Sequence, residues 1–254
     1  MTKGYEEFEF DLPSALLINL VKLFDEMDSS ALSIWNVASI PEEQGVYQLL
    51  HKDSLVYIGK TDAEAGLKKR LDRHAWTIQH RHNLDPMDVT FKAVRVFVFT
   101  AIDLETQLIK HYGAENIVSW NNSGFGSNDP GRERDTTTLK AEGFDELFPV
   151  DIDREIELNL SAPTSAADAL KALKEALPYT FRFETAGKRS RKPHLDLTDT
   201  PIDRLPKAKT TRLIIETIVS QLPAGWQATA LPSRVILYKE KRDYIHGTII
   251  ARSL

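Results

Sequence analysis

The stretch Gly45–Gly59 constrains the fold of this chain more than any other. Two apolar runs, Gly45–Leu50 and Leu55–Gly59, flank the polar tip His51-Lys52-Asp53-Ser54. Runs of strand length around a short polar turn predict an antiparallel hairpin. Each arm carries a tyrosine, Tyr47 in Gly45-Val46-Tyr47 and Tyr57 in Tyr57-Ile58-Gly59. Tyrosines on adjacent strands can aim two phenol oxygens at one small patch. There they donate and accept hydrogen bonds and can be tuned for proton transfer.

The chain beyond the hairpin strengthens this reading. Gly66–His82 has helical spacing, with Leu67, Leu71, Ala75 and Ile78 on one stripe. Arg70 and His74 stand four residues apart on it and so share a face. The β-branched and aromatic run Val89–Thr100 predicts a strand. Asp103–Tyr112 predicts a helix with Leu104, Leu108 and Ile109 inward and Glu105 near its first turn. Asp103 points away from Glu105 and suits an N-cap or first-turn position. Trp120-Asn121-Asn122 then opens a glycine-rich loop, Gly124-Phe125-Gly126. That loop is no nucleotide-binding fingerprint, because no strand feeds it and no helix clearly succeeds it.

Taken singly, each of these residues has an ordinary role. A strand tyrosine is usually a packing residue with its hydroxyl at the rim. Arg70, among Lys68, Lys69 and Arg73, could belong to a solvated helix face, and Glu105 could serve the helix macrodipole. Asn121 could be a turn residue. Their order is what carries meaning. Two motif strands, a helix with arginine, a third strand, a helix with glutamate and an asparagine in the next loop resemble the GIY-YIG nuclease superfamily. The Arg70–His74 spacing and the segment from Trp120 to Gly131 look most like its type II restriction endonucleases. The resemblance covers roughly Gln44–Asp135, with Val46 in place of the usual isoleucine, a conservative change on a strand.

The resemblance implies a catalytic set of Tyr47, Tyr57, Arg70, His74, Glu105 and Asn121, with Asn122 as the adjacent alternative to Asn121. It implies that Glu105 binds one divalent cation, Mg²⁺ or Mn²⁺, per active site. The chemistry agrees. Phosphodiester hydrolysis needs an in-line water, a base, positive charge on the phosphoryl oxygens and a stabilised leaving oxygen. Glu105 can hold a hard cation, and Arg70 offers a planar fork that suits a phosphate. The base is Tyr47, Tyr57 or His74. The restriction-type relatives favour the first tyrosine, which His74 would assist. Double-stranded DNA is the implied substrate, cut by a homodimer with one active site per chain, alongside a methyltransferase acting on the same sequence. A repair, mobile-element or other phage-defence nuclease is the alternative, as is an inactive DNA-binding protein of the same fold.

Composition sets the remaining bounds. At 254 residues and 42% hydrophobic, the chain can bury a substantial core. No apolar run is long enough to cross a membrane, and Met1–Tyr5 has no leader layout. With no cysteine there is no disulfide and no thiolate zinc site, which fits a cytoplasmic protein. His80-Arg81-His82 reads as an exposed helix end rather than a metal pair.

The net charge of −5 is unevenly spread. Met1–Val150 has 15 Lys and Arg against 24 Asp and Glu, a net −9, and Asp151–Leu254 has 17 against 13, a net +4. Local fields rather than net charge attract a polyanion. Candidate DNA contacts are Lys60, Lys69, Asn122 and the basic run Lys188, Arg189, Arg191 and Lys192, with Lys207–Arg212 a further basic cluster.

The expected fold is α+β. Residues 1–43 form a helical extension containing the amphipathic helix Leu12–Asp28, and residues 44–148 form the nuclease domain around a small mixed or antiparallel sheet flanked by helices. Residues 149–254 form a C-terminal α+β domain for DNA recognition or dimerisation. Phe144–Asp153 reads as a linker or arm and Ile156–Leu160 as a strand. Helices over Ser165–Leu177 and Thr210–Leu222 are expected, with strands Tyr179–Glu184, Gln227–Leu231, Val235–Lys239 and Gly247–Arg252. Between them Ala186–Leu205 reads as a basic, proline-containing loop.

Overall fold

The computed structural model describes residues 4–8, 11–61, 64–97, 104–113, 118–126, 129, 131–187 and 190–254. The fold is α+β. The chain divides into two compact units, Met1–Ala75 with Pro86–Asn121, and Trp76–Asp85 with Asn122–Leu254. No helix among the described residues is long and apolar enough to cross a membrane.

The first unit is built on the hairpin. Strands β2 (Gly45–His51) and β3 (Ser54–Thr61) pair antiparallel, with Tyr47 opposite Gly59 and Leu49 opposite Tyr57. Lys52 and Asp53 form the turn with φ of 51° and 63°, the left-handed pair that a two-residue hairpin requires. β4 (Val89–Arg95) pairs antiparallel with β2, and the short β1 (Ser30–Ala31) pairs with β4, giving the order β1-β4-β2-β3. The part of the predicted third strand beyond residue 97 lies outside the described residues, as does Asp103.

Alternation along the strands sorts side chains onto two faces. Val46, Ile58 and Val96 pack against Leu20 and Phe24 of α1 (Leu12–Glu26) and against Leu104 and Leu108 of α4 (Leu104–Gly113). The opposite face carries Gly45, Tyr47, Tyr57 and Gly59, and is met by α3 (Leu67–Gln79). Gly45 allows the close approach, since a Cβ there would strike the side chain of Leu67. Asp11 caps α1 by accepting from Ser14 N at 3.1 Å. A four-residue helix, α2 (Ile34–Val37), comes after β1.

The second unit has its own core, made by Leu170, Leu173, Phe181, Ile214, Ile215, Ile218, Trp226 and Val235 among others. Its sheet runs β10-β8-β9-β6, from Thr248–Arg252, Gln227–Leu231, Arg234–Tyr238 and Thr180–Phe183, with β6 parallel to β9 and the other pairs antiparallel. Helices α6 (Ala166–Ala176) and α8 (Thr211–Val219) begin at Ser165 and Thr210, whose hydroxyls accept backbone N–H groups at 3.1 and 3.2 Å.

Four expectations are corrected by the fold. Phe144–Asp153 is not a linker. It starts with a short helix, α5 (Phe144–Leu147), and buries Phe144, Phe148, Val150 and Ile152. Nor is Arg81 an exposed helix end: it is buried, donates to Asp145 at 2.8 Å and to Phe148 O at 3.0 Å, and lies over the Phe144 ring. A charge is kept inside by pairing, which composition does not reveal. Ile156–Leu160 is extended without a ladder, and the neighbouring Glu155 makes one isolated bridge with Thr210. Its alternation reflects Ile156 and Leu158 packing into the core, a pattern that needs no partner strand. Within the expected loop Ala186–Leu205, Leu195–Asp199 is helical (α7), and β7 (Pro201–Ile202) pairs with β5 (Thr164–Ser165).

Candidate active site

The hairpin register puts both tyrosines on one face, with ring centroids 6.1 Å apart. Helix α3 lays His74 against them, each tyrosine ring 5.5 Å from the imidazole. Tyr47 Oη lies 2.7 Å from His74 Nε2 in a buried hydrogen bond. Tyr57 and Arg70 both act electrostatically on the Tyr47 phenol, and the Arg70 charge acts on both phenols. Gly59, directly opposite Tyr47, makes room for this: a Cβ there would fall on the Tyr47 hydroxyl and ring.

Burial sets the protonation of the group. It drives the Tyr47 phenol far above its ordinary value, nearby Tyr57 adds to the rise, and Arg70 opposes it. Tyr57 is raised by burial first, with Arg70 opposing and the negative charge of Glu105 adding. Burial pulls the Arg70 guanidinium down, but the two phenols outweigh that and raise it. His74 is pushed down to about 3, by burial first and then by the charges of Arg70 and Arg73. The resting state is therefore two neutral phenols and a neutral imidazole beside one fixed cation. Such a group can move a proton along a short chain while Arg70 stabilises the phenolate that forms. The Arg70 Nε is buried with no hydrogen-bond partner among the described residues.

Glu105 stands half-buried in the first turn of α4, near enough for its charge to act on Tyr57. Asn121 does something else. Its Oδ1 accepts from Ile58 N and its Nδ2 donates to Ile58 O, each at 2.9 Å, so one side chain pairs with β3 as another strand would. Trp120, to which the motif order assigns no role, anchors this contact. Its backbone N–H donates to Val56 O at 2.8 Å, and its ring sits 5.7 Å from His51. Nothing in the local sequence signals a side chain bonded to backbone 63 residues away.

The expected DNA contacts fall on several elements of the two units. Lys60 is exposed, but pairs with Val46 and so lies on the face opposite the tyrosines. Lys69 is exposed on α3, and Asn122 is exposed with φ 57°. Arg191 is exposed and Lys192 close by it on the same turn, while Lys188 and Arg189 lie outside the described residues. A cluster not expected from sequence, His82, Asp151 and Asp153, has possible ligand atoms within 4.8 Å of one another in the second unit. Asp153 already accepts from Arg212 Nε and Nη2 at 2.5 and 2.8 Å, and Asp151 accepts from two backbone N–H groups.

Residues 43–117 match the GIY-YIG catalytic domain. The match spans both motif strands, α3, β4 and α4, and with them Tyr47, Tyr57, Arg70, His74 and Glu105. It implies a nuclease, a hydrolase that acts on nucleic acid. No curated protein sequence matches the chain.

Proposed function

We propose that the chain is a divalent-metal-dependent DNA endonuclease of the restriction type. The observation that carries this is the buried Tyr47–His74 hydrogen bond with Tyr57 packed beside it and the Arg70 charge acting on both phenols. The three candidate bases form one packed cluster. As water attacks the phosphorus, its proton passes to Tyr57, the Tyr57 proton to Tyr47 and the Tyr47 proton to His74 Nε2. Burial pushes the imidazole down to about 3, so it is neutral throughout the physiological range. Arg70 and Arg73 beside it disfavour a lasting imidazolium, so the proton returns after the step. Arg70 also faces the charge that grows on the phenol oxygen. Asn121 is a positioning residue, holding β3 in the register that presents Tyr57.

Glu105 is the residue fitted to hold the metal. It is an acid at partial exposure whose charge reaches Tyr57, and a carboxylate oxygen suits a hard cation with open positions for water and phosphate. Bound there, Mg²⁺ or Mn²⁺ would supply Lewis acidity at the phosphate. One such centre per chain serves one scissile phosphate, so cutting both strands calls for two chains, most simply related by a twofold axis.

Incubation with supercoiled plasmid and Mg²⁺ tests the reading. Discrete linear products that form without accumulating nicks are expected from two chains acting together at a specific site. A smear or no cleavage would overturn the restriction reading. Glu105→Ala should abolish cutting while duplex binding in Ca²⁺ stays near wild type, and a variant that still cuts would remove Glu105 from the metal site.

A further inference from the structure

We propose that Arg95, supported by Phe97, contacts a DNA backbone phosphate at the end of the tyrosine-bearing sheet face. This inference rests on the nuclease reading above and adds a substrate contact to it.

The placement comes from register. Tyr47 faces Ala93 across β2 and β4, and Gly45 faces Arg95. Arg95 therefore lies on the same face as Tyr47 and Tyr57, two residues along β4 from the position opposite Tyr47. Two strand residues span about 6.6 Å, so the Arg95 side chain stands at the end of that face, open enough to solvent for a nucleic-acid backbone to approach it. The lysine that comes after the second tyrosine motif, Lys60, is on the wrong face for this, and Lys92 turns the other way to donate to Phe24 O at 2.6 Å. Arg70 is engaged by the phenols. Among the described residues, Arg95 is thus the cation that the β-strands present on the tyrosine face.

Its surroundings fit a phosphate. The guanidinium lies 4.3 Å from the centroid of the Phe97 ring, and that ring is 77% exposed. A guanidinium held over a ring keeps its N–H groups for hydrogen bonding, and these are the groups that bond phosphate oxygens. The present partner is Glu43, at 3.2 Å, with Arg95 and Glu43 side chains 40% and 47% exposed. A pair so open to solvent can be displaced by a phosphate oxygen, and Glu43 then acts as an internal competitor for the guanidinium.

Opposite effects from the two partners form the test. Duplex binding is measured on the full-length protein in Ca²⁺ across a salt series. Arg95→Gln should weaken binding by roughly tenfold and lower the log–log salt slope by about 0.9, one phosphate contact. Glu43→Gln should tighten binding about two- to fivefold, because it frees Arg95 for phosphate. A pair with only a structural role would make both substitutions weaken binding or leave it unchanged, and either result overturns the proposal. Phe97→Leu keeps an apolar residue but removes the stacking surface, and should weaken binding less than Arg95→Gln. If wild type cuts plasmid and Arg95→Gln matches it in affinity and slope, this inference alone fails. If wild type neither binds nor cuts duplex DNA, the nuclease reading fails with it.

Discussion

The Tyr47 oxygen has no water-facing surface and three polar neighbours, so its chemistry depends on which of them holds the proton. A buried neutral histidine beside it has a consequence for stability. His74 falls from 6.5 to about 3 on folding, so the unfolded chain binds an extra proton between those values. Its contribution is fully present above pH 6.5 and is lost as pH falls towards 3. Between those limits His74 contributes a slope of about 1.4 kcal/mol per pH unit at most. Urea unfolding at pH 7, 6 and 5 should show wild type losing stability faster than His74→Gln, which lacks the titrating ring. Equal pH slopes for the two proteins would show that the imidazole is hydrated or charged in the native state.

At the level of elements, the tyrosine-bearing hairpin is legible in the sequence because its signals are local. Apolar runs of strand length, a polar turn and a tyrosine on each arm all fall within Gly45–Gly59, and the helix carrying Arg70 and His74 reads from its own periodicity. The face assignment is not legible, since a one-residue change of register would exchange Tyr47 with Val46 and Tyr57 with Ile58. Lys60 and Arg95 show the effect: both are strand cations near the motif, and only pairing separates their faces. Asn121 stands out by its place in the motif order, but its work is hidden, because its partner is backbone on another strand. Both Ile58 backbone groups bond to that one amide. Asn121→Ala should therefore cost about 2–4 kcal/mol in stability, the cost of two unsatisfied groups near the protein interior. Asn121→Asp keeps the acceptor for Ile58 N and loses the donor, so it should fall between wild type and alanine. If Asn121→Ala lost all cleavage with unchanged unfolding, the side chain would have to act on substrate directly.

For the molecule as a whole, charge divides as function would require. The half containing the tyrosines is acidic, and Asp151–Leu254 carries the surplus of +4. An acidic catalytic half disfavours random binding to a polyanion, so affinity must be supplied from elsewhere in the chain. The basic run in the second unit is the best placed source. Thr185 bridges Pro193, Ala186 N donates to Lys192 O, and Ser190 N donates to Gly187 O, closing a tight turn. Arg191 is exposed on it. Backbone bonds therefore tie Ala186 to Lys192 and Ser190 to Gly187 without the help of basic side chains. Replacing Lys188, Arg189, Arg191 and Lys192 together by alanine should leave thermal unfolding nearly unchanged. Duplex affinity should fall, and the salt slope should flatten by about one unit for each phosphate no longer neutralised. Cleavage at saturating DNA should persist, because the His74–Tyr47–Tyr57 group lies in the other unit. An unchanged salt slope in a folded protein would reduce this turn to an ordinary solvated loop, and the positive surplus would then have to act through Lys207–Arg212.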